Sequence, residues 1–226
     1  MNTGGYNPMN EVSGNLVPMV ISKDSQGERA MDIYSMLLKY RTIDMSTGFD
    51  PMSCSLVRSS MIYLQRIDPK KDINLYIDSP GGHVISGMSI VDTMRTISPK
   101  VNVTCTGMAA SMGSVILAGA TGKRTVMQHS QVMLHQVSGG TQGQVSDMSI
   151  NTIHAKNLNT DIQRFFARVT GKSKQEILKA MDRDTWFTAQ EAIDFNLADE
   201  LLPIHHPYPF DIDTEEYPHL DSDIFN

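Results

Sequence analysis

The chain has 226 residues, 40% of them hydrophobic and 19% charged, enough to bury one sizeable core in a single α/β domain. Its formal charge of −6 is unevenly spread: 19 basic face 14 acidic residues through Arg183, a net +5, and eleven acids follow with no Lys or Arg among them. The absence of a basic cluster interleaved with aromatics argues against nucleic acid as a partner, and no apolar run reaches the length of a membrane span.

Residues 1–15 are polar, rich in Asn and Gly, and lack both the charged and the apolar regions of a secretory signal; they are expected to be disordered or removed. Two cysteines, Cys54 and Cys105, make no disulfide framework and suit a reducing compartment, so the expected location is cytoplasmic or its organellar equivalent. The stretch Leu16-Val17-Pro18-Met19-Val20-Ile21 contains a proline that suits an edge or a loop. Asp32 can cap a helix carrying Ile33, Met36, Leu37 and Tyr40 on one side. Thr42 to Pro51 reads as a loop or irregular strand, and Ser53 to Leu64 as a helix.

Ile73, Leu75 and Ile77 alternate with polar positions as a strand that runs into Ser79-Pro80-Gly81-Gly82, a turn whose N–H groups can face outward. A helix then sets Ile85, Met88, Val91, Met94 and Ile97 on one face until Pro99. Val101, Val103 and Cys105 form the next strand, which feeds Gly107-Met108-Ala109-Ala110-Ser111-Met112-Gly113 at the head of an apolar helix expected to end at Gly122-Lys123-Arg124. Strand and helix repeated with glycines at the strand ends imply crossovers, a largely parallel sheet, and sites at the turns.

Thr125–Met127 and Gln131–Leu134 read as short strands, the second delivering His135. A polar ribbon at residues 139–144 precedes a long helix, Ser146 to Thr170, with apolar positions Ala155, Leu158, Ile162, Phe165, Phe166 and Val169; its length suggests that it projects toward another subunit. Ser173 with Glu176 and Thr188 with Glu191 make capping boxes on either side of a connector, Asp182-Arg183-Asp184-Thr185-Trp186-Phe187, and Asn196 suits a left-handed turn. From Pro203 on, prolines, acids and aromatics suggest an extended tail.

A hydroxyl at the Ser111 corner would lie beside the unpaired N–H groups of a first helical turn, as a serine nucleophile requires. The small residues there equally suit close packing of helix on sheet. Of seven histidines, His135 is best placed as a base, since it ends a strand beside a Gly-rich ribbon; His154 lies mid-helix, and His205, His206 and His219 lie in the tail without cysteine partners or helical spacing for a metal. Asp182 and Asp184, near Trp186, are both candidates to orient the base. Met88, Met94, Met108, Met112 and Met133 flank the candidate site, as groove lining or as ordinary core.

In order along residues 16–202, Leu16-Val17-Pro18-Met19-Val20-Ile21, Gly27-Glu28-Arg29, Asp32-Ile33-Tyr34, Tyr76-Ile77-Asp78-Ser79-Pro80-Gly81-Gly82, Gly107-Met108-Ala109-Ala110-Ser111-Met112-Gly113, Met133-Leu134-His135-Gln136 and Asp182-Arg183-Asp184 resemble the motifs of the ClpP family, the proteolytic subunits of ATP-dependent Clp proteases. The resemblance implies a crotonase-like α/β fold of repeated ββα units with a projecting helix-and-strand handle. It implies a serine endopeptidase with Ser111 as nucleophile, His135 as base, Asp184 as orienting acid, and the N–H groups of Gly82 and Met112 as oxyanion hole. It further implies two stacked heptameric rings, with residues 139–144 pairing between rings and Asp182 and Arg183 coupling ring contact to the site. An AAA+ ATPase would dock near Ile62 and Tyr76 and feed unfolded protein, with no cofactor or metal in this subunit.

The resemblance divides the chain into residues 1–15 where family members carry a propeptide, a peptidase domain at 16–202, and a tail at 203–226 that has no family counterpart. Departures from the family pattern are the segment Thr42–Arg58, Thr96 at the docking cleft, Asp78 where asparagine is usual, and Val137 where proline usually follows His-Gln. Two other classes fit the same fold: a non-catalytic ring subunit, against which the intact trio of Ser111, His135 and Asp184 argues, and an acyl-CoA enzyme using paired oxyanion turns for an enolate.

Overall fold

A computed structural model describes residues 17–24 and 27–206. The expectations for residues 1–15, for His219 and for most of the acidic tail lie outside the described residues. Strands β1 (Met19–Asp24) and β2 (Gly27–Asp32) form an antiparallel two-stranded sheet of their own, so the Pro18 stretch leads into an edge strand. Asp32 then caps α1 (Ile33–Lys39), accepting from the Ser35 N–H at 2.9 Å.

The chain continues through β3 (Thr42–Met45), α2 (Pro51–Ile67), β4 (Ile73–Ser79), α3 (Val84–Thr96), β5 (Val101–Ala110), α4 (Met112–Ala118), β6 (Arg124–Val126) and β7 (Gln131–Leu134). After these come α5 (Val145–Thr170), α6 (Lys174–Asp182), β8 (Thr185–Thr188), α7 (Ala189–Asp194) and β9 (Glu200–Leu201). Strands β3, β4, β5, β6 and β9 lie side by side in parallel, giving the α/β fold with repeated β–α units. Long β5 pairs twice along its second edge: Val103–Cys105 with β6, then Met108–Ala110 with β7. That second pairing sets β7 beside the end of β5, and antiparallel β8 beyond it.

Ile73, Leu75 and Ile77 are wholly buried on one face of β4 while Asn74 and Asp78 stay exposed, the alternation read from the sequence. Each such side chain contributes roughly 1.5–3 kcal/mol of burial. All seven residues of α4 are buried, which explains why this helix lacks a polar face. The capping boxes of α6 and α7 and the positive φ of Asn196 are as expected.

Several elements differ from expectation. Thr42–Met45 is a regular strand, with Ile43 and Met45 buried against the sheet. Helix α2 starts at Pro51, because Asp50 accepts from the Met52 and Ser53 N–H groups and proline needs no donor at a first helical position. Strand β5 carries through Gly107 to Ala110, leaving Ser111 alone at the corner, and α4 stops at Ala118 rather than at Gly122. In α3 the buried face is Gly87, Ile90, Val91 and Met94; Ile85 is exposed. The connector before α7 is β8, made a strand by its pairing with β7. Residues 139–144 lie outside any strand of the single chain, in keeping with a polar ribbon, and the pairing expected of them between rings needs a second copy. No helix of the described residues is long and apolar enough to cross a membrane.

Candidate active site

Ser111 sits where β5 turns into α4, with φ 53° and ψ −117°, a backbone conformation that costs about 1–3 kcal/mol in a non-glycine residue. Its surroundings hold it there. The Ser111 N–H donates to the Met133 carbonyl at 2.9 Å, and its own carbonyl accepts from the Ser114 N–H at 3.1 Å and the Ser114 hydroxyl at 2.6 Å. Ser114 is wholly buried, so its hydroxyl needs the partner it has.

The corner spares the Ser111 side chain from capping the helix, and Oγ lies 2.8 Å from His135 Nε2. His135 leaves the end of β7, which the pairing with Met108–Ala110 anchors beside the corner. On its other side His135 Nδ1 lies 3.1 Å from Asp184 Oδ1, just ahead of β8, which β7 itself pairs. The sheet therefore brings hydroxyl, imidazole and carboxylate into one hydrogen-bonded series from residues 24 and 49 positions apart. Of the two candidate acids it is Asp184 that meets the imidazole. Asp182 acts through its carbonyl, which accepts from Gln136 Nε2 at 3.0 Å, while the Arg183 side chain is exposed.

Opposite Ser111 stands the Gly81–Gly82 turn, with φ of 93° and 146°. The approach admits no side chain: a Cβ on Gly81 would meet Ser111 Cβ at 2.7 Å and Met112 N at 2.8 Å. Met112 is the first residue of α4, so its N–H has no acceptor within the helix. No hydrogen bond among the described residues engages the N–H of either Gly82 or Met112.

Residues to which the sequence reading gave no bracing role hold that turn. Phe49, 4% exposed, donates to the Gly81 carbonyl at 2.8 Å and accepts from the His83 N–H at 2.7 Å. The buried Ser79 hydroxyl donates to the Thr47 carbonyl at 2.5 Å and accepts from the Gly81 N–H at 3.2 Å. The one available signal was Gly48-Phe49-Asp50, an aromatic between a glycine and a cap, in the segment that departs from the family pattern.

A small cavity of about 50 Å³ opens at Ser111, floored by Met112, Val115, Val137, Ile162 and Phe166. A wider groove of about 660 Å³ continues from it between Pro80–Ile85 and α5. Of the five methionines expected near the site, only Met112 lines either space; Met94 is core filling at 1% exposure. Val137 lines both, and its N–H donates to Asn159 Oδ1 at 2.9 Å, a bond proline could not make. Asp78 is turned to the backbone, accepting from the Met108 N–H at 2.9 Å with Gly107 against its carboxylate. Burial pushes the Cys105 thiol up to about 11, so it stays a thiol rather than a thiolate at neutral pH.

Ile62 is half-exposed on α2 and Tyr76 half-buried on β4, and neither lines the two spaces at Ser111. Among the described residues no group of three or more His, Cys, Asp or Glu is placed to hold a metal ion. Residues 25–205 match the family model described as Clp protease, and the chain belongs to that family.

Proposed function

We propose that this Clp protease family member is a serine endopeptidase acting on unfolded protein chains. The observation that carries the reading is the hydrogen-bonded series from Ser111 through His135 to Asp184, set across a narrow gap from two unengaged N–H groups. Ser111 Oγ attacks the peptide carbonyl carbon while His135 Nε2 takes its proton. The carbonyl electrons move to oxygen, and the Gly82 and Met112 N–H groups meet the resulting anion. His135 returns the proton to the leaving amine as the C–N bond breaks. Water, deprotonated by His135, then frees the acyl group. Asp184 holds the imidazole in the tautomer whose Nε2 accepts. The apolar floor formed by Met112, Val115 and Phe166 favours an apolar residue before the cut bond.

The reading extends to assembly. Residues 16–202 form the peptidase unit, a crotonase-like head with α5 as handle, between a propeptide at 1–15 and a separate tail at 203–226. Val145, Ile150 and Ile153, 60–82% exposed on the outer half of α5 and turned away from the groove wall, support burial of that face between subunits of two stacked heptameric rings. Asp182 and Arg183, beside Asp184, link ring contact to the site. An AAA+ ATPase docks near Ile62 and Tyr76 and supplies unfolded substrate in the cytoplasm or its organellar equivalent; this subunit itself uses no cofactor.

The test is covalent. A fluorophosphonate forms a P–O bond at an activated serine and releases fluoride, with the hydroxyl proton passing to the base. Peptide mass mapping is expected to place the adduct on Ser111. An unlabelled Ser111 in assembled protein, or a label elsewhere, overturns the reading.

A further inference from the structure

Two histidines outside the Ser111 series line the groove that leads away from it. His83 immediately follows Gly82, and His154 belongs to an α5 stripe of Asn151, His154, Ala155 and Leu158, spaced i, i+3, i+4, i+7 so that all four share one helix face. Both side chains are exposed. Ile85 also lines the groove, and neither a carboxylate nor a lysine or arginine is among the lining residues.

His83 is held in one tautomer. Its Nδ1 accepts from the Ser86 N–H at 3.3 Å and lies 2.8 Å from the Ser86 hydroxyl. A backbone N–H can only donate, so the ring proton sits on Nε2, leaving an N–H donor for whatever occupies the groove. A chain seated with its carbonyl at the Gly82 N–H passes within one residue of that donor. His154 presents a second imidazole from the facing wall.

We infer that His83 and His154 are specificity-determining residues that make this groove favour a substrate with an acidic side chain near the residue held at Ser111. The inference rests on the peptidase reading above. An imidazole N–H donates to a carboxylate, and a charged acceptor binds such a donor more strongly than a neutral amide does. Ile85, Ala155 and Leu158 offer apolar contact to the methylenes of a glutamate, and no lining carboxylate repels it.

The test uses the full-length protein and a fluorogenic peptide series with a fixed apolar residue before the cut bond. Glu, Gln or Lys is placed in turn at each neighbouring position. At one position kcat/KM for the Glu peptide is expected to exceed that for the Gln peptide by about three- to fivefold, the scale of an exposed hydrogen bond to a charged rather than a neutral acceptor, with the difference in KM. Taking the ratio at one pH cancels whatever His135 contributes to both. His83→Asn keeps a capping side chain on α3, and His154→Gln keeps a good helix former; each lowers the ratio toward one. His154→Glu turns it below one and raises cleavage of the Lys peptide, which a merely structural role would not do.

A ratio near one at every position in the native protein overturns the assignment, as does a Glu preference that survives the double substitution. Cleavage of the Gln peptide with a flat ratio removes only this inference. No cleavage of any peptide, together with an unlabelled Ser111, removes the peptidase reading and this inference with it.

Discussion

Substituting Gly81 by alanine tests the geometry facing Ser111 without removing any of the reacting groups. At φ 93° the new side chain is strained whatever the space, at about 1–3 kcal/mol. Its Cβ would also meet the Ala110 carbonyl oxygen and Ser111 Cβ at 2.7 Å, against an ordinary contact of 3.4 Å or more. Overpacking of this kind costs about 1–3 kcal/mol. The obstructing atoms are backbone and a Cβ, so relief of about 0.7 Å per contact has to come from moving the Gly81–Gly82 turn away from the corner. A misplacement approaching 1 Å costs on the order of 10²-fold in rate, and loss of one oxyanion donor about 10²–10³-fold. The expected result is a fall in kcat of that size with KM little changed, measured by peptide hydrolysis on folded protein isolated by size-exclusion chromatography, with a urea melt in parallel. Gly48→Ala is the companion variant: its Cβ would meet the Gly81 carbonyl oxygen from the other side at 3.6 Å, an ordinary contact, and it should stay close to native. A folded Gly81→Ala protein with native kcat would refute the reasoning.

Asp184→Asn keeps the shape of the series but lets the imidazole settle in the wrong tautomer; kcat should fall on the order of 10⁴-fold with the fold intact by circular dichroism, and a loss under tenfold would contradict the assigned role. Asn159→Ala leaves the Val137 N–H without its partner and should cost about 1–2 kcal/mol in a denaturant melt along with a drop in kcat, because Val137 borders Ser111; an unaltered melt would contradict it. For Asp199, burial would raise the carboxyl pKa, but hydrogen bonds from the Arg124 side chain and N–H, with the charges of Arg124 and Lys123, hold it below the usual range. A pKa depressed by folding contributes stability above the unfolded carboxylate's pKa and loses it as pH falls through the folded value. Asp199→Asn should therefore lower the melting temperature at pH 7 and narrow the gap to native protein at pH 3; an equal gap at both pH values would count against this.

The parts of the fold legible in the sequence were those set by local chemistry. Asp32, Ser173 and Thr188 cap helices because a short polar side chain can reach an N–H three residues on. The alternation in Ile73–Ser79 follows from one face of β4 being buried. What escaped depended on distant pairing. Thr42–Met45 has too short an alternation to announce a strand until β4 lies beside it, and Thr185–Thr188 becomes β8 only against β7. Ile85 fits the apolar period of α3 yet faces the groove, since periodicity cannot tell a core from a cleft wall. At the site, family motifs pointed to Ser111, His135 and Asp184, whereas spacing left Asp182 and Asp184 open. The brace from Phe49, Ser79 and Ser114 was not legible because it is made of bonds to backbone groups of Gly81, Thr47 and Ser111, and side-chain identity does not show which backbone group a residue reaches.

The most direct test compares the full-length protein with Ser111→Ala in hydrolysis of a short fluorogenic peptide with an apolar residue before the bond, with oligomer size recorded in the same samples. Turnover by a large ring assembly is expected, disappearing in the variant while the assembly persists. Full turnover by Ser111→Ala, or none from a fully assembled native ring supplied with an ATPase partner, would contradict the peptidase reading.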